Sequence, residues 1–139
     1  MYYIKREFEI SAGHRLKQHE GKCKNFHGHN YKVVVTLKNE TLNEENMVLD
    51  FGDLKNIVKN VLEPFDHAMI ITPEDEEKFQ DFKTIIMYYN VQPTAEIMAK
   101  YFFHRIILQL QLARFDTLAS VHSVEVWETS KSAAIYKED

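Results

Sequence analysis

Three histidines have a spacing that is suited to binding a metal ion. His27 and His29 are separated only by Gly28, so in an extended chain both imidazoles project from one face. His14 shares even parity with the apolar positions of the first segment, which places its ring on the inward face of a predicted strand. Three buried neutral imidazoles are costly unless a partner accepts their lone pairs. A zinc ion is such a partner, and three protein ligands leave its fourth position open for catalysis.

Two other interpretations of these histidines stay open at the level of sequence. Each ring could be a satisfied core or surface side chain in a metal-free binding protein. Alternatively, Cys23 could be a fourth zinc ligand, which would close the site and make it a structural module that binds partners. For His19, His104 and His122 we expect a packing or solvated role.

Cys23, Asp66 and His67 are candidates for proton transfer. Cys23 lies between Lys22 and Lys24, and positive charge favours the thiolate form of a cysteine. A thiolate next to a bound substrate can accept a proton, although a buried and inert cysteine is the alternative. Asp66 directly precedes His67, and a neighbouring carboxylate can orient an imidazole.

Glu128 ends an apolar row on the last long predicted strand. Val124, Val126 and Glu128 share one face, so the row is expected to bring a carboxylate to the edge of the core. Such a group needs partners, and a planar amidine-like ligand edge can supply two parallel hydrogen bonds. The alternative is a glutamate that reaches water at the strand end. Glu96 already has a local explanation, because an acid in the first turn of a helix is stabilised by the helix dipole.

Hydrophobic periodicity predicts the elements that would position these residues. Alternating segments predict strands over Tyr2–Ala12, Asn30–Lys38, Ser120–Glu128 and Ala133–Tyr136. Helical spacing predicts a helix from Phe51 to Leu62, a short helix from Thr72, and a third helix from about Thr94 to Leu110, with a short β-rich segment from Lys83 to Tyr89. This order favours an α+β fold with the helices on one face of an antiparallel sheet.

Length, charge and cysteine content exclude several classes of protein. A chain of 139 residues has room for one domain, taken here as residues 1–139. The net charge of −4 argues against nucleic acid as a partner. The apolar runs are far short of the ~20 residues that span a membrane, and the amino terminus does not resemble a signal peptide. A single cysteine cannot form an internal disulfide, which favours a cytoplasmic protein.

The chain resembles the 6-pyruvoyl-tetrahydropterin synthase family, which includes the 6-carboxy-tetrahydropterin synthase of the queuosine pathway. The resemblance covers essentially the whole chain, and the Cys23-x3-His27-Gly-His29 block is its most specific part. The segments that carry it, in order, are SAGHRL (11–16), GKCKNFHGHNY (21–31), LDF (49–51), FDH (65–67), PTAE (93–96) and VWET (126–129).

This resemblance implies a tunnelling fold, in which each subunit has a four-stranded antiparallel sheet with helices on one face. Three subunits would close a twelve-stranded barrel, and two trimers would stack into a homohexamer with active sites at subunit interfaces. The resemblance also implies roles for the candidate residues. His14, His27 and His29 would bind catalytic zinc, Cys23, Asp66 and His67 would transfer protons, Glu128 would anchor the pterin, and Thr94 and Glu96 would lie near the pterin pocket.

The implied substrate is 7,8-dihydroneopterin triphosphate, and the implied products are 6-carboxy-5,6,7,8-tetrahydropterin, acetaldehyde and triphosphate. The three residues between Cys23 and His27 are similar to the bacterial carboxy-tetrahydropterin branch, while the animal pyruvoyl branch tends to a longer gap. A 6-pyruvoyl-tetrahydropterin synthase is the nearest alternative. The chain departs from the compact bacterial pattern in the segment from Thr72 to Gln92, which is longer.

Overall fold

Two long alternating segments form the centre of a sheet. The computed structural model describes residues 1–87 and 91–139. In it, strand β1 (Tyr2–His14) pairs antiparallel with β2 (His27–Asn39), so that Tyr2 lies opposite Asn39 and His14 lies opposite His27. Both strands are therefore longer than predicted at the ends that carry histidines. The extension places the metal-ligand candidates within the sheet rather than in a loop.

Within residues 1–87 and 91–139 the sheet has six strands and is mixed, which corrects the prediction of a four-stranded antiparallel sheet. The predicted strands form an antiparallel set in the order β1-β2-β5-β6, with β5 at Ser120–Thr129 and β6 at Ser132–Tyr136. Two short strands, β3 (Ala68–Ile71) and β4 (Thr84–Ile86), extend the sheet beyond β1 by parallel pairing. β4 falls within the predicted β-rich segment, whereas the four residues of β3 are too few for an alternating pattern to distinguish them from a loop.

Two α-helices cover one face of the sheet and enclose the core. Helix α1 (Phe51–Leu62) begins at Asp50, whose carboxylate accepts a hydrogen bond from Gly52 N. Helix α2 (Ala95–Leu112) begins at Thr94, whose hydroxyl accepts one from Ile97 N. Their apolar faces pack against the inward side chains of the central strands, which include the fully buried Val33, Val35, Leu37, Val124 and Val126. Burial of these side chains stabilises the fold by ~1.5–3 kcal/mol for each large one.

Two 3₁₀ segments complete the described secondary structure. The first, Lys22–Lys24, lies in the connection from β1 to β2, and the second, Pro73–Phe79, follows β3. The short helix predicted from Thr72 is therefore 3₁₀, and the Thr72 hydroxyl bonds Glu74 instead of capping the backbone. Part of the predicted β-rich segment forms β4, and residues 88–90 lie outside the described residues.

Neither described α-helix combines the length and the apolar character that crossing a membrane requires.

Candidate metal centre and active site

The three histidines converge at one end of the core because of the register between β1 and β2. His14 lies opposite His27, and Ala12 lies opposite His29, so all three side chains project from the face that also carries Tyr31. The ring centroids are 4.7 Å apart for His14 and His27, 5.1 Å for His14 and His29, and 4.9 Å for His27 and His29. One nitrogen of each ring lies within 4.8 Å of the others, which is close enough for a shared cation.

Backbone carbonyls determine which ring nitrogens are free to bind a metal. His14 Nδ1 lies 2.6 Å from the carbonyl oxygen of Pro93, and His27 Nδ1 lies 2.7 Å from that of Asn25. A carbonyl oxygen only accepts, so each Nδ1 must carry the proton and donate it. Each Nε2 then has a free lone pair. This is the arrangement by which a protein orients a metal-binding imidazole through its second nitrogen.

Two ring nitrogens in this cluster have no partner despite being buried. His27 Nε2 and His29 Nε2 are shielded from solvent and make no hydrogen bond within the described part of the chain. An unsatisfied buried polar atom costs about 1–3 kcal/mol, so its presence calls for a ligand. Three imidazole donors, two of them orphaned, fit a zinc ion with an open position better than they fit a packed core.

Burial favours the neutral form of two of the three rings, His14 and His29, and only a neutral imidazole can bind a metal. Removal from water lowers the pKa of His14, and the neighbouring His27 and His29 rings lower it further, against the opposing effects of Pro93 and Glu128. Burial likewise lowers the pKa of His29. Near pH 7 both rings are therefore expected to have an available lone pair.

Glu128 and Tyr31 border the histidine cluster. Glu128 Oε1 lies 3.8 Å from His14 Nε2, and the Tyr31 hydroxyl lies 3.3 Å from both nitrogens of the His14 ring. Glu128 occupies an irregular position of β5, because the register to β6 shifts between Trp127 and Thr129. A bulge of this kind redirects a side chain at a strand end. Burial raises the pKa of Tyr31, so its phenol stays protonated and can donate.

Cys23 lies in the loop that joins the two histidine-bearing strands. It belongs to the first 3₁₀ segment, is half-buried, and its carbonyl accepts a hydrogen bond of 2.7 Å from Leu16 N. Within residues 1–87 and 91–139, the metal-competent cluster consists of His14, His27 and His29 and does not include Cys23. The arrangement therefore favours an open three-histidine site over one that the thiol closes.

Asp66 and His67 form a pair that is fixed to β1. Asp66 Oδ1 lies 3.0 Å from His67 Nδ1 and also accepts a hydrogen bond of 2.9 Å from Ser11 N. The bond from Ser11, assisted by His67, holds the pKa of Asp66 below its usual value, so the carboxylate is charged. His67 N in turn donates to Ser11 O, and His67 adopts a left-handed backbone with a φ of 60°. The chain thus holds the His67 ring, which is 79% exposed, in a defined orientation.

A cleft of about 540 Å³ is lined in part by residues of both candidate sets. Its lining includes His27 and His29 from the metal cluster and His67 from the acid–base pair. The predicted pocket residues Thr94 and Glu96 do not line this cleft but lie at the start of α2. Thr94 uses its hydroxyl to cap α2, directly after the Pro93 carbonyl that orients His14, and Glu96 is exposed in the first turn.

Sequence patterns missed the groups that orient the candidate residues. The groups at Pro93 and Asn25 are backbone carbonyls, which every residue has, so side-chain identity does not reveal their role. Pro93 is also 79 positions from His14 along the chain. The Tyr31 hydroxyl, which lies 3.3 Å from both nitrogens of the His14 ring, was also missed. Its signal was the phenol itself, since a buried tyrosine hydroxyl usually needs a partner.

The fold and the site together define a class: a mixed sheet backed by two helices, with three clustered histidines at one end of the core. A family model described as 6-pyruvoyl tetrahydropterin synthase matches residues 3–139, and the chain belongs to this family. It is 36% identical to the 6-carboxy-5,6,7,8-tetrahydropterin synthase of Haemophilus influenzae over 99% of this chain and 100% of the relative. It is 33% identical to the Aquifex aeolicus protein of the same name, with 98% of each covered.

A solved structure supports the same assignment. The 6-pyruvoyl tetrahydropterin synthase of Caenorhabditis elegans superimposes with a TM-score of 0.73 at 28% identity, over 99% of this chain and 96% of that one.

Proposed function

We propose that the protein is a zinc-dependent 6-carboxy-5,6,7,8-tetrahydropterin synthase. It would convert 7,8-dihydroneopterin triphosphate and one water molecule into 6-carboxytetrahydropterin, acetaldehyde and triphosphate, a step in the cytoplasmic synthesis of queuosine. The relatives named for this activity support the reaction, since they match nearly the full length of the chain. The observation that carries the proposal is the convergence of three imidazoles, two of which have a buried Nε2 without a hydrogen-bond partner among the described residues.

His14, His27 and His29 would hold the zinc. The fit rests on their donor chemistry: two Nδ1 atoms donate to carbonyls, and the buried Nε2 atoms of His27 and His29 lack partners. Zinc bound there supplies a Lewis acid that stabilises negative charge developing on a substrate oxygen.

Cys23 and His67 would move protons. The Cys23 thiolate would accept a proton from a side-chain carbon of the substrate, and His67 would return protons elsewhere on the substrate. Asp66 supports the role of His67, because its charged carboxylate lies 3.0 Å from His67 Nδ1 and fixes that nitrogen as the protonated one. The opposite nitrogen, Nε2, is then free to exchange a proton with substrate.

Glu128 would hold the pterin ring. A charged carboxylate accepts two parallel N–H bonds from an amino-pyrimidine edge, and Glu128 lies next to the metal cluster at the end of an apolar row. Thr94 and Glu96, at the start of α2, would form the nearby wall of the pterin pocket. Glu128 would then fix the ring so that the substrate side chain reaches the histidine cluster.

The protein would act as a homohexamer made of two stacked trimers. Within the described residues, β3 pairs with β1 only at Ala12 and Gly13, and β6 ends the sheet on the other side. Strand edges of this kind are ready to pair with another chain. Pairing the edge of β1 with the β6 edge of a neighbour, three times in succession, would close a barrel of twelve long strands.

Product analysis tests the proposed reaction. The purified zinc-loaded protein is incubated with 7,8-dihydroneopterin triphosphate, and the products are identified by mass spectrometry together with an assay for acetaldehyde. We expect 6-carboxytetrahydropterin and one acetaldehyde for each substrate consumed. A 6-pyruvoyl product without acetaldehyde would assign the pyruvoyl reaction instead, and no consumption of substrate would contradict both.

A further inference from the structure

The loop between the two histidine-bearing strands is attached to the second 3₁₀ segment. Arg15, at the start of this loop, makes a bidentate pair with Asp75: Nη2 lies 2.7 Å from Oδ1 and Nε lies 3.0 Å from Oδ2. Lys17 forms an ion pair with Glu74, one residue before Asp75. The loop is thus held by two neighbouring residues that lie about 60 positions away in the sequence.

The carboxyl-terminal end of the loop, at Phe26, packs against the same 3₁₀ segment. The Phe26 ring lies edge-on to Phe79 with the centroids 5.0 Å apart, and the Arg15 guanidinium carbon lies 4.6 Å from the centre of Phe26. Arg15 therefore contacts Asp75 and Phe26 at once, and joins both ends of the loop to one support. Stacking of a guanidinium on an aromatic ring combined with a bidentate carboxylate is a geometry that lysine cannot reproduce.

Asp75 is the buried part of this support, with only 2% of its surface exposed. Burial alone would raise its pKa, but the hydrogen bonds from Arg15 and Lys78 reverse that effect and hold its pKa below the usual value. A buried carboxylate kept charged by a bidentate partner defines the position of that partner closely. Asp75 lies in the segment that the sequence marked as longer than the compact bacterial pattern.

The backbone of Cys23 is hydrogen-bonded to the part of the loop that Arg15 attaches to the second 3₁₀ segment. Leu16, the residue after Arg15, donates its N–H to the Cys23 carbonyl at 2.7 Å. The path from Asp75 to Cys23 therefore consists of one ion pair, one peptide unit and one backbone hydrogen bond. No comparable side-chain support is needed for His14 and His27, because they lie opposite each other in the sheet.

We infer that Asp75 is a positioning residue that holds the Cys23 loop through Arg15. This inference rests on the proposed function for its catalytic meaning, since it concerns the thiol that would accept the substrate proton. The metal centre is held by the β1–β2 register instead. Loss of Asp75 should therefore displace the thiol while zinc binding is retained.

The single cysteine of the chain makes the position of the thiol directly measurable. The rate of alkylation by iodoacetamide is compared for the zinc-loaded wild-type protein and the variants Asp75→Asn and Arg15→Lys. Both variants keep the approximate size of the side chain and lose the bidentate charged pair. We expect the rate to change by about threefold or more in both, with zinc content unchanged.

Two control variants separate displacement of the loop from general effects. Glu77→Gln removes an exposed carboxylate from the same 3₁₀ segment and should leave the rate at the wild-type value. Val61→Ala truncates a buried side chain of α1 and lowers global stability, and it should not change the rate in the folded protein. Thermal unfolding of each variant confirms that the measurements are made below its transition.

Steady-state kinetics with dihydroneopterin triphosphate tests the catalytic consequence. We expect kcat of Asp75→Asn to fall by about tenfold or more, because small displacements of a reacting group are costly, while KM stays within about twofold. An unchanged alkylation rate in both variants, an equal change in Glu77→Gln or Val61→Ala, loss of zinc, or an unchanged kcat would each overturn the inference. If the wild-type protein had no turnover, the proposed function would fail, and alkylation would still decide whether Asp75 positions the loop.

Discussion

A neutral imidazole binds a metal only through a ring nitrogen that carries no proton. In this protein the proton positions of His14 and His27 follow from two backbone carbonyls, those of Pro93 and Asn25. The Nε2 atoms of His27 and His29 are shielded from bulk solvent and make no hydrogen bond with the described residues. The energetic cost of these orphaned atoms is removed when a cation binds.

Replacement of Cys23 separates the metal centre from proton transfer. Because the thiol is not part of the three-histidine cluster in the described chain, we expect Cys23→Ala to keep one zinc per subunit. Turnover of dihydroneopterin triphosphate should fall by about 10²–10⁴-fold, the usual contribution of a general base. Elemental analysis and steady-state rates measure the two effects, and near-wild-type turnover would remove the thiol from the mechanism.

Replacement of Glu128 tests recognition of the pterin ring. Glu128→Gln loses one charged acceptor, so kcat/KM should fall by about tenfold or more, as expected for a hydrogen bond to a charged group. Zinc content should not change. Glu125→Gln is the matched control on the same strand, since the Glu125 carboxylate accepts a hydrogen bond from the Trp127 indole instead of facing the cluster. Equal losses in the two variants would argue against a specific role for Glu128.

At the level of elements, alternation and parity predicted the sheet face that carries the site. The even parity of His14 placed its ring on the inward face, and the spacing of His27 and His29 placed their rings on one face. The β1–β2 register brings all three together. The starts of α1 and α2 were also predicted, at Phe51 and near Thr94, from helical spacing. These features follow from local periodicity, which short stretches of sequence contain.

The remaining elements depend on contacts between distant residues. β3 and β4 are strands because they pair in parallel with β1 and with each other, and four apolar residues such as those of β3 do not specify this alone. The pairing of Arg15 with Asp75 joins the β1–β2 loop to the second 3₁₀ segment across 60 positions. The sequence showed only an arginine next to His14 and an acidic stretch after Thr72, with nothing to indicate that they pair.

The attachment between these two elements should depend on pH. The pKa of Asp75 is lower in the folded protein than its usual value of 3.8, so the charged carboxylate stabilises the fold above that value. This stabilisation is lost as the pH falls through the folded pKa. The free energy of unfolding of the wild type should exceed that of Asp75→Asn by about 2 kcal/mol at pH 7, and the difference should shrink below about pH 4.

Urea unfolding at a series of pH values measures this difference, with Glu77→Gln as the control. A difference that stays constant down to pH 3 would show that the Asp75 charge does not stabilise the fold.

At the level of the whole molecule, the sheet edges would determine how copies assemble into the proposed hexamer. Ile135 on β6 is 62% exposed, and Leu112 at the end of α2 is 78% exposed. Only Ile135 lies on the strand that would pair with a neighbouring chain. An exposed apolar residue on an edge strand is typical of a strand that is covered in the assembly.

Two matched substitutions test this assembly. In light-scattering measurements, we expect the wild type and Leu112→Lys to have six times the 16.4 kDa mass of the chain. Ile135→Lys should shift the mass toward smaller species, because a charge would be buried where β6 meets a neighbour. A monomeric wild type, or equal behaviour of the two variants, would contradict the barrel.

The X-ray absorption spectrum of the zinc-loaded protein tests the proposed metal centre most directly. We predict one zinc per chain with three nitrogen ligands at ~2.0–2.1 Å, a fourth light ligand, and no sulfur. Removal of any one of the three imidazoles should then abolish stoichiometric binding. A sulfur ligand at ~2.3 Å would place Cys23 on the metal, and failure to bind zinc would leave the histidine cluster without its proposed function.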